Sequence, residues 1–344
     1  MTIRITWARA VATLVGLAAA GMLFAWSGLF NIAASSGHWP ITDWFLHWTM
    51  RNSVRTYAAV TSPDDPADRT GMVSAAGHFA NACSICHGAP GVRPAPVMQA
   101  ATPPAPDLAV NAKEWSDKQL FWILQHGVKY TGMPAWAVQD RPDEVRRMVA
   151  FVRRLPGMTA AQYDALVAEA DPGADLATCT GCHGADGKGR GARDIPVLGG
   201  QKPAYLLAAL QGYASGKRSS AVMQQVAMRM DPAEMDDAAR RFAAMPGLGA
   251  SPTGNDAAAA RIVEQGLPKL QLPACASCHT AGKDYPVLAG QRAGYIAQRL
   301  RHWRGEETVV DARKSHATMP VIARRIPDAM IDPLARYLAG RSTR

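Results

Sequence analysis

The chain contains little cysteine. It has six cysteines among 344 residues, and none of them lies outside three short runs. The runs are Cys83-Ser84-Ile85-Cys86-His87, Cys179-Thr180-Gly181-Cys182-His183 and Cys275-Ala276-Ser277-Cys278-His279. One such run could be an accident, but three of them with no cysteine left over are not explained by chance.

Each run has the C-x-x-C-H pattern of c-type haem attachment. Two thiols three residues apart on one turn bond the vinyl groups of the porphyrin. The adjacent imidazole of His87, His183 or His279 then reaches the iron as the proximal axial ligand. A zinc site would need a fourth ligand in each copy, and a C-x-x-C redox pair would not require histidine next in line three times. The sequence therefore predicts three covalently bound haem c groups, each with its iron.

The chain also lacks segments in which apolar and polar residues alternate, so an all-α fold is expected. A length of 344 residues suits two or three domains. The first cysteines of successive runs lie 96 residues apart, which indicates three. Before the haem domains, residues 1–9 are predicted to be a cytoplasmic N-terminus, 10–34 a transmembrane anchor, and 35–68 an interfacial segment and linker. Three tandem haem c domains then follow, at residues 69–158, 159–250 and 251–344. They are called here the first, second and third units. Each unit is small and has a marginal core, so we expect it to lose cooperative folding without haem.

Charge is absent from Ala10 to Phe30, an apolar run of 21 residues. About 20 residues cross a bilayer as a helix, and Arg4 and Arg9, with no acid beside them, keep the amino end in the cytoplasm. A cleaved signal peptide is the alternative, with small residues at Ala18-Ala19-Ala20 and Ala33-Ala34-Ser35 as cleavage sites. Because the apolar run continues beyond the first of these, the sequence favours an uncleaved single-pass anchor in a bacterial inner membrane, with the haem domains in the periplasm.

Aromatic residues make up only 7% of the chain, but they are dense just after the apolar run. This segment contains Trp39, Trp44, Phe45 and Trp48. Residues 43–57 are therefore predicted to form an amphipathic helix in the membrane–water interface. A helix packed on the first haem domain or on a partner subunit is the alternative. Residues 61–68 contain two prolines and three aspartates and are typical of a linker.

The sixth position of each iron decides between electron transfer and chemistry on a small molecule. Methionine keeps the iron six-coordinate, and the candidates are Met133, Met223 and Met319. Met223 and Met319 both lie 44 residues after the first cysteine of their runs. The alternative is that a methionine is core filler, since the chain has 15. Competing donors are Met228, Met230, His126, His302 and His316.

Positive charge is concentrated at the two ends of the chain. Of the formal net charge of +9, residues 1–62 contribute +3 and residues 251–344 contribute +6. Two propionates per haem bring the mature protein nearer to neutrality. The C-terminal excess either steers an acidic redox partner or forms a solvated face. Basic residues are not interleaved as a stacking platform, so nucleic acid is not expected as a partner.

The units resemble class I c-type cytochromes. In that family a helix with a glycine and an aromatic residue, here Gly77 and Phe79, leads into the C-x-x-C-H run. A distal methionine follows, and a final helix with an aromatic residue crosses the first. The corresponding late aromatic residues are Phe151, Phe242 and Tyr337. The third unit departs from this pattern, because Pro268 and Pro273 interrupt the helix before Cys275.

Residues 159–344 resemble the tandem dihaem bacterial cytochromes of the c-four type. The resemblance depends on an internal repeat, in which residues 196–201 and 286–291 share a Pro-Val-Leu-x-Gly-Gln element and Tyr205 matches Tyr295. The first unit, with Met133 inside a Thr-Gly-Met-Pro-Ala-Trp element, resembles single-haem domains appended to respiratory and dehydrogenase complexes.

These resemblances imply an electron-transfer protein of a respiratory chain and not an enzyme. They imply a quinol–cytochrome c oxidoreductase or a periplasmic dehydrogenase as donor, and a terminal haem–copper oxidase as acceptor. The alternative is the electron-accepting cytochrome subunit of a periplasmic alcohol or aldehyde dehydrogenase. A haem peroxidase would need an open sixth position, whereas every unit offers a methionine. No side chain is proposed as a catalytic acid, base or nucleophile.

Overall fold

A computed structural model of the chain describes residues 6–167, 176–249, 256–280, 282–305 and 318–341. Within these ranges the secondary structure is helical, apart from isolated bridges between Ala89 and Val92 and between Leu267 and Leu272. The prediction of an all-α fold is confirmed. Arg4, His316 and the predicted boundary between residues 250 and 251 lie outside the described residues.

Two long helices precede the first haem unit. Helix Trp7–Trp26 begins at the N-cap Thr6, buries none of its residues, and is long and apolar enough to cross a membrane. Helix Pro40–Thr61 follows. Its carboxyl half packs on the first unit, where Tyr57 stacks on Trp122 with ring centroids 5.9 Å apart. Its amino half keeps its aromatic residues exposed.

The first unit is built from the helices Met72–His78, Ser84–His87, Pro96–Gln99, Leu108–Asn111, Asp117–His126 and Pro142–Arg154. A π-helical turn, Phe79–Cys83, joins the first two, so one continuous helix delivers the cysteines as predicted. Such turns recur at functional sites. Phe79 and Phe151 are fully buried, and their ring centroids lie 5.3 Å apart. The first and last helices of this unit pack against each other, as the predicted crossing requires.

The second and third units repeat this scheme. The second contains the helices Ala177–His183, Pro203–Ala214, Ala221–Ala227 and Pro232–Ala244, and the third contains Ala257–Gln265, Ala293–Gly305, Thr318–Arg325 and Ile331–Ala339. Helix Ala160–Val167 lies within the predicted second unit but packs on the core of the first. In the third unit the first helix stops at Gly266, and a bridged turn follows between Leu267 and Leu272. Cys275–Ser277 is then a 3-10 turn. The interruption predicted from Pro268 and Pro273 is confirmed.

The repeated Pro-Val-Leu-x-Gly-Gln elements join the second unit to the third. The Gln201 side chain donates to the Val287 carbonyl at 2.8 Å and accepts from the Val287 N–H at 3.0 Å. Gln291 does the same with Val197, at 2.9 Å for both bonds. Both glutamines are buried. Because each occupies the same position of the repeat, the two contacts are reciprocal, and they satisfy buried backbone groups on both sides.

Candidate haem sites

One cavity of about 350 Å³ lies between the second and third units, and residues of the first unit such as Arg141 and Glu144 line one side of it. Its lining includes all the predicted attachment and ligand residues of these two units. They are Cys179, Cys182, His183 and Met223 from the second unit, and Cys275, Cys278, His279 and Met319 from the third. Apolar side chains such as Leu206, Phe242, Ile296 and Leu300 complete the walls. The two predicted haem sites therefore share one largely apolar space.

The cysteines are free thiols. Burial raises the pKa of Cys83 to about 12 and that of Cys182 to about 11, and it also raises the pKa of Cys179 and Cys275. At neutral pH these groups are therefore uncharged thiols, the form that adds to the vinyl groups of a porphyrin. The described part of the chain holds no group of three or more His, Cys, Asp or Glu residues placed to bind a metal ion. The donor set fits a haem, whose porphyrin brings its own four nitrogen ligands, and does not fit zinc.

Two of the three predicted proximal histidines lie within hydrogen-bond distance of a proline carbonyl. Nδ1 of His87 lies 2.9 Å from the Pro106 oxygen, and Nδ1 of His279 lies 2.9 Å from the Pro286 oxygen. Because a carbonyl only accepts, Nδ1 carries the proton and Nε2 is left as the donor to iron. Burial lowers the pKa of both histidines, which keeps the imidazoles neutral, as iron binding requires.

The second unit differs at this position. Burial lowers the pKa of His183 to about 4, and the nearby Pro196 carbonyl opposes this effect. Nδ1 of His183 is buried and has no hydrogen-bond partner among the described residues. The sequence analysis did not identify these prolines as neighbours of the predicted proximal histidines. Pro196 and Pro286 both begin the repeated element, and this shared position could have indicated a shared role.

Met133 lies in a tight loop of the first unit. Its N–H donates to Thr131 Oγ1 at 3.1 Å, and its carbonyl accepts from the Val128 N–H at 3.1 Å. Gly127 has a φ of +65°, and a Cβ there would lie 2.7 Å from the Met133 oxygen, so the turn requires glycine. Met133 and Cys83 pack against the same buried cluster. The predicted attachment site and the predicted sixth ligand of the first unit thus border one core.

The structure reduces the number of competing sixth ligands. Met228 is 65% exposed and His126 is also exposed, whereas Met223 lines the cavity. Met230 and His302 line the cavity as well, so they remain competitors. His316 lies outside the described ranges.

Basic residues lie beside the apolar walls. Arg218 and Arg299 both line the cavity. The Arg218 guanidinium lies over the ring of Tyr213, 4.9 Å from its centroid, and donates to the Tyr205 hydroxyl at 3.2 Å. Arginine pairs strongly with carboxylates, so the cavity combines apolar walls for a porphyrin with a cation suited to its propionates.

Two families match parts of the chain. The family described as cytochrome c oxidase, cbb3-type, subunit III matches residues 72–152, and the cytochrome c family matches residues 170–244. These ranges contain the first and second C-x-x-C-H runs respectively. Covalently bound haem c is thereby supported for both.

Curated relatives cover about half of the chain. A thiosulfate dehydrogenase electron acceptor of Stutzerimonas stutzeri (strain A1501) is 34% identical over 171 residues, which are 47% of this chain and 78% of the relative. The protein of the same name from Thiomonas intermedia (strain K12) is 32% identical over 176 residues, 48% of this chain and 80% of the relative. Cytochrome c4 of Thiocapsa roseopersicina is 30% identical over 172 residues, 48% of this chain and 87% of the relative. With the C-x-x-C-H runs and the helical fold, these matches show that the chain belongs to the class I c-type cytochromes and contains a c4-like dihaem part.

Proposed function

We propose that the protein is a membrane-anchored trihaem cytochrome c that relays single electrons on the periplasmic side, from a respiratory donor to a terminal acceptor such as a haem–copper oxidase. The observation that carries this proposal is the shared cavity, which two complete sets of Cys, His and Met residues line together. Two redox centres that share one largely apolar space would exchange electrons directly with each other. The third C-x-x-C-H run, outside both family matches, is part of that cavity.

The proposed attachment residues are Cys83, Cys86, Cys179, Cys182, Cys275 and Cys278. The proposed axial pairs are His87 with Met133, His183 with Met223, and His279 with Met319. When bound, each haem supplies one-electron chemistry at its iron. The Pro106 and Pro286 carbonyls would hold the imidazole tautomer of His87 and His279, and the apolar walls would pack against the porphyrins of the second and third units. Methionine in the sixth position raises the reduction potential and leaves no open position for a substrate.

The relatives suggest which partners to test. Two relatives are electron acceptors of thiosulfate dehydrogenase, which supports a periplasmic dehydrogenase as donor and keeps the dehydrogenase-subunit alternative in play. The match of the first unit to an oxidase subunit supports an oxidase as acceptor. A quinol–cytochrome c oxidoreductase remains a proposed donor on the family resemblance alone.

Mass spectrometry and absorption spectroscopy of the full-length protein test the relay. We expect a mass increase of three haems and a near-infrared sulfur-to-iron charge-transfer band from all three. We also expect rapid oxidation of the reduced protein by a haem–copper oxidase. A five-coordinate high-spin haem with rapid peroxide turnover would instead establish a peroxidase. Fewer than three covalent haems would contradict the trihaem assignment.

Membrane attachment is a separate part of the proposal. The exposed apolar helix Trp7–Trp26 and the exposed aromatic residues that follow it support an anchor. We expect the mature protein to stay with the membrane fraction and to retain its first residues on N-terminal sequencing. A mature N-terminus beginning after Ala20 or Ser35 would identify a cleaved signal peptide instead.

A further inference from the structure

Three residues of the first unit bind one short segment of the second. The Arg141 guanidinium donates to the Ser219 carbonyl at 2.6 Å, and Asp140 accepts from the Ser219 hydroxyl at 2.9 Å. Glu144 accepts from the Ser220 hydroxyl at 2.6 Å and from the Ala221 N–H at 2.9 Å. These four hydrogen bonds fall on three consecutive residues, 219–221. The segment ends two residues before Met223.

Glu144 is a buried carboxylate, with its side chain 2% exposed. Besides the two bonds to the second unit, it lies 3.1 Å from the Arg141 guanidinium. A buried carboxylate is costly unless it is paired and hydrogen-bonded. Here the second unit supplies two of its donors. The contact is therefore specific in geometry and depends on both units being in place.

Ser220 transmits this contact to the predicted ligand. It is the N-cap of helix Ala221–Ala227, and its Oγ accepts from the Met223 N–H at 3.2 Å. Because the Ser220 hydroxyl proton points to Glu144, the oxygen lone pairs are left to accept from the helix. Two hydrogen bonds therefore link Met223 to Glu144. The Met223 N–H donates to Ser220 Oγ, and the Ser220 O–H donates to the Glu144 carboxylate. The carboxylate thus fixes the first turn, from which the Met223 side chain projects.

We infer that Glu144 is a positioning residue for the sixth haem ligand of the second unit, so that the first unit controls the coordination of its neighbour's iron. The inference rests on the proposed assignment of Met223 as that ligand. Met230 also lines the cavity, so the orientation of the first turn matters for which thioether reaches the iron. A dihaem protein without the first unit would lack this control.

Glu144→Gln and Ser220→Ala test the inference in the full-length holoprotein. Glutamine has one acceptor oxygen, so it cannot accept from Ser220 and Ala221 in the same way, and alanine removes the cap itself. We expect both variants to lose charge-transfer absorbance until it approaches that of Met223→Leu. We also expect the reduction potential of one haem of the three to fall, because methionine ligation raises it.

Arg229→Ala is the matched control, since Arg229 also bonds across the boundary between these units, to the Asn81 carbonyl at 3.4 Å, but is neither part of the cavity lining nor bonded to residues 219–221. It should leave the charge-transfer band and the potentials unchanged. Equal losses in Arg229→Ala would mean general loosening and would overturn the inference. Wild-type spectra in both Glu144→Gln and Ser220→Ala would also overturn it. If Met223→Leu itself keeps the wild-type spectrum, the ligand assignment is wrong, and the inference falls with it.

Discussion

Gly77 shows how closely the first and second units approach each other. A Cβ built on Gly77 would lie 2.6 Å from Cys182 Sγ, the second thiol of the neighbouring C-x-x-C-H run. Carbon and sulfur do not tolerate that distance, so any side chain would push the thiol or the helix aside. Glycine at position 77 therefore allows the second unit to pack closely on the helix that leads to Cys83.

Gly77→Ala should therefore destabilise the holoprotein and disturb haem attachment in the second unit, not the first. Overpacking of a well-packed site costs about 1–3 kcal/mol, which we expect as a decrease in the free energy of unfolding in denaturant titrations. Peptide mass spectrometry should show less haem on Cys182. Gly132→Ala is the control, because nothing lies within 4 Å of its added Cβ. Equal stability and equal haem content in both variants would contradict the prediction.

The sequence suggested only part of this role. Gly77 and Phe79 were recognisable as the glycine and aromatic residue of the helix that leads to Cys83, and Phe79 does contact Phe151 in the first core. The contact of Gly77 with Cys182 joins residues more than a hundred positions apart. No local periodicity encodes such a distance. For the same reason, nothing in the sequence near Glu144 indicates its bonds to residues 220 and 221 of the second unit.

The repeated Pro-Val-Leu-x-Gly-Gln elements connect the second unit to the third. Gln201 binds the backbone of Val287, and the preceding residue, Pro286, supplies the carbonyl for His279. A side chain of the second unit thus supports the proximal side of the third. The repeat itself was evident in the sequence. Its pairing across units was not, because a repeated element can equally well serve only its own unit.

Gln201→Ala should weaken the docking of the second and third units. It leaves the N–H and carbonyl of Val287 without their partners, and each unsatisfied buried group costs about 1–3 kcal/mol. We expect the thermal unfolding of these units to separate into two transitions, and the potential of the third haem to change. Gln211→Ala, on an exposed position of helix Pro203–Ala214, is the control. A single unchanged transition in Gln201→Ala would contradict the expected role.

For the whole molecule, the covalent haem attachment that the family matches support could be predicted from the C-x-x-C-H runs, because attachment requires a local pattern. The helices before Cys83 and up to Gly127 could be predicted as well, since their boundaries are set by neighbouring residues. The shared cavity could not, because it arises from the relative placement of two units. The same holds for helix Ala160–Val167, which buries Tyr163 against the first core although the spacing assigned it to the second unit.

The units differ in how much apolar core they have without haem. Among the described residues, the buried cluster of the second unit consists of Leu176, Leu206, Ala238, Ala239 and Phe242. The first unit buries a much larger cluster around Phe79, Met148 and Phe151, and the third buries one around Ile331 and Leu334. A small domain with few buried apolar residues gains little stability from its own core. The second unit should therefore depend most on its haem.

A double variant, Cys179→Ala with Cys182→Ala, should remove the second haem and with it the cooperative unfolding of the second unit. Because the cavity is shared, the third unit should also melt at a lower temperature. Calorimetry of the full chain, with Cys83→Ala and Cys86→Ala as the matched pair, measures both effects. The first unit keeps its larger core, so losing its own haem should leave the other two transitions in place. A second unit that still melts cooperatively without haem would show that the polypeptide alone specifies its fold.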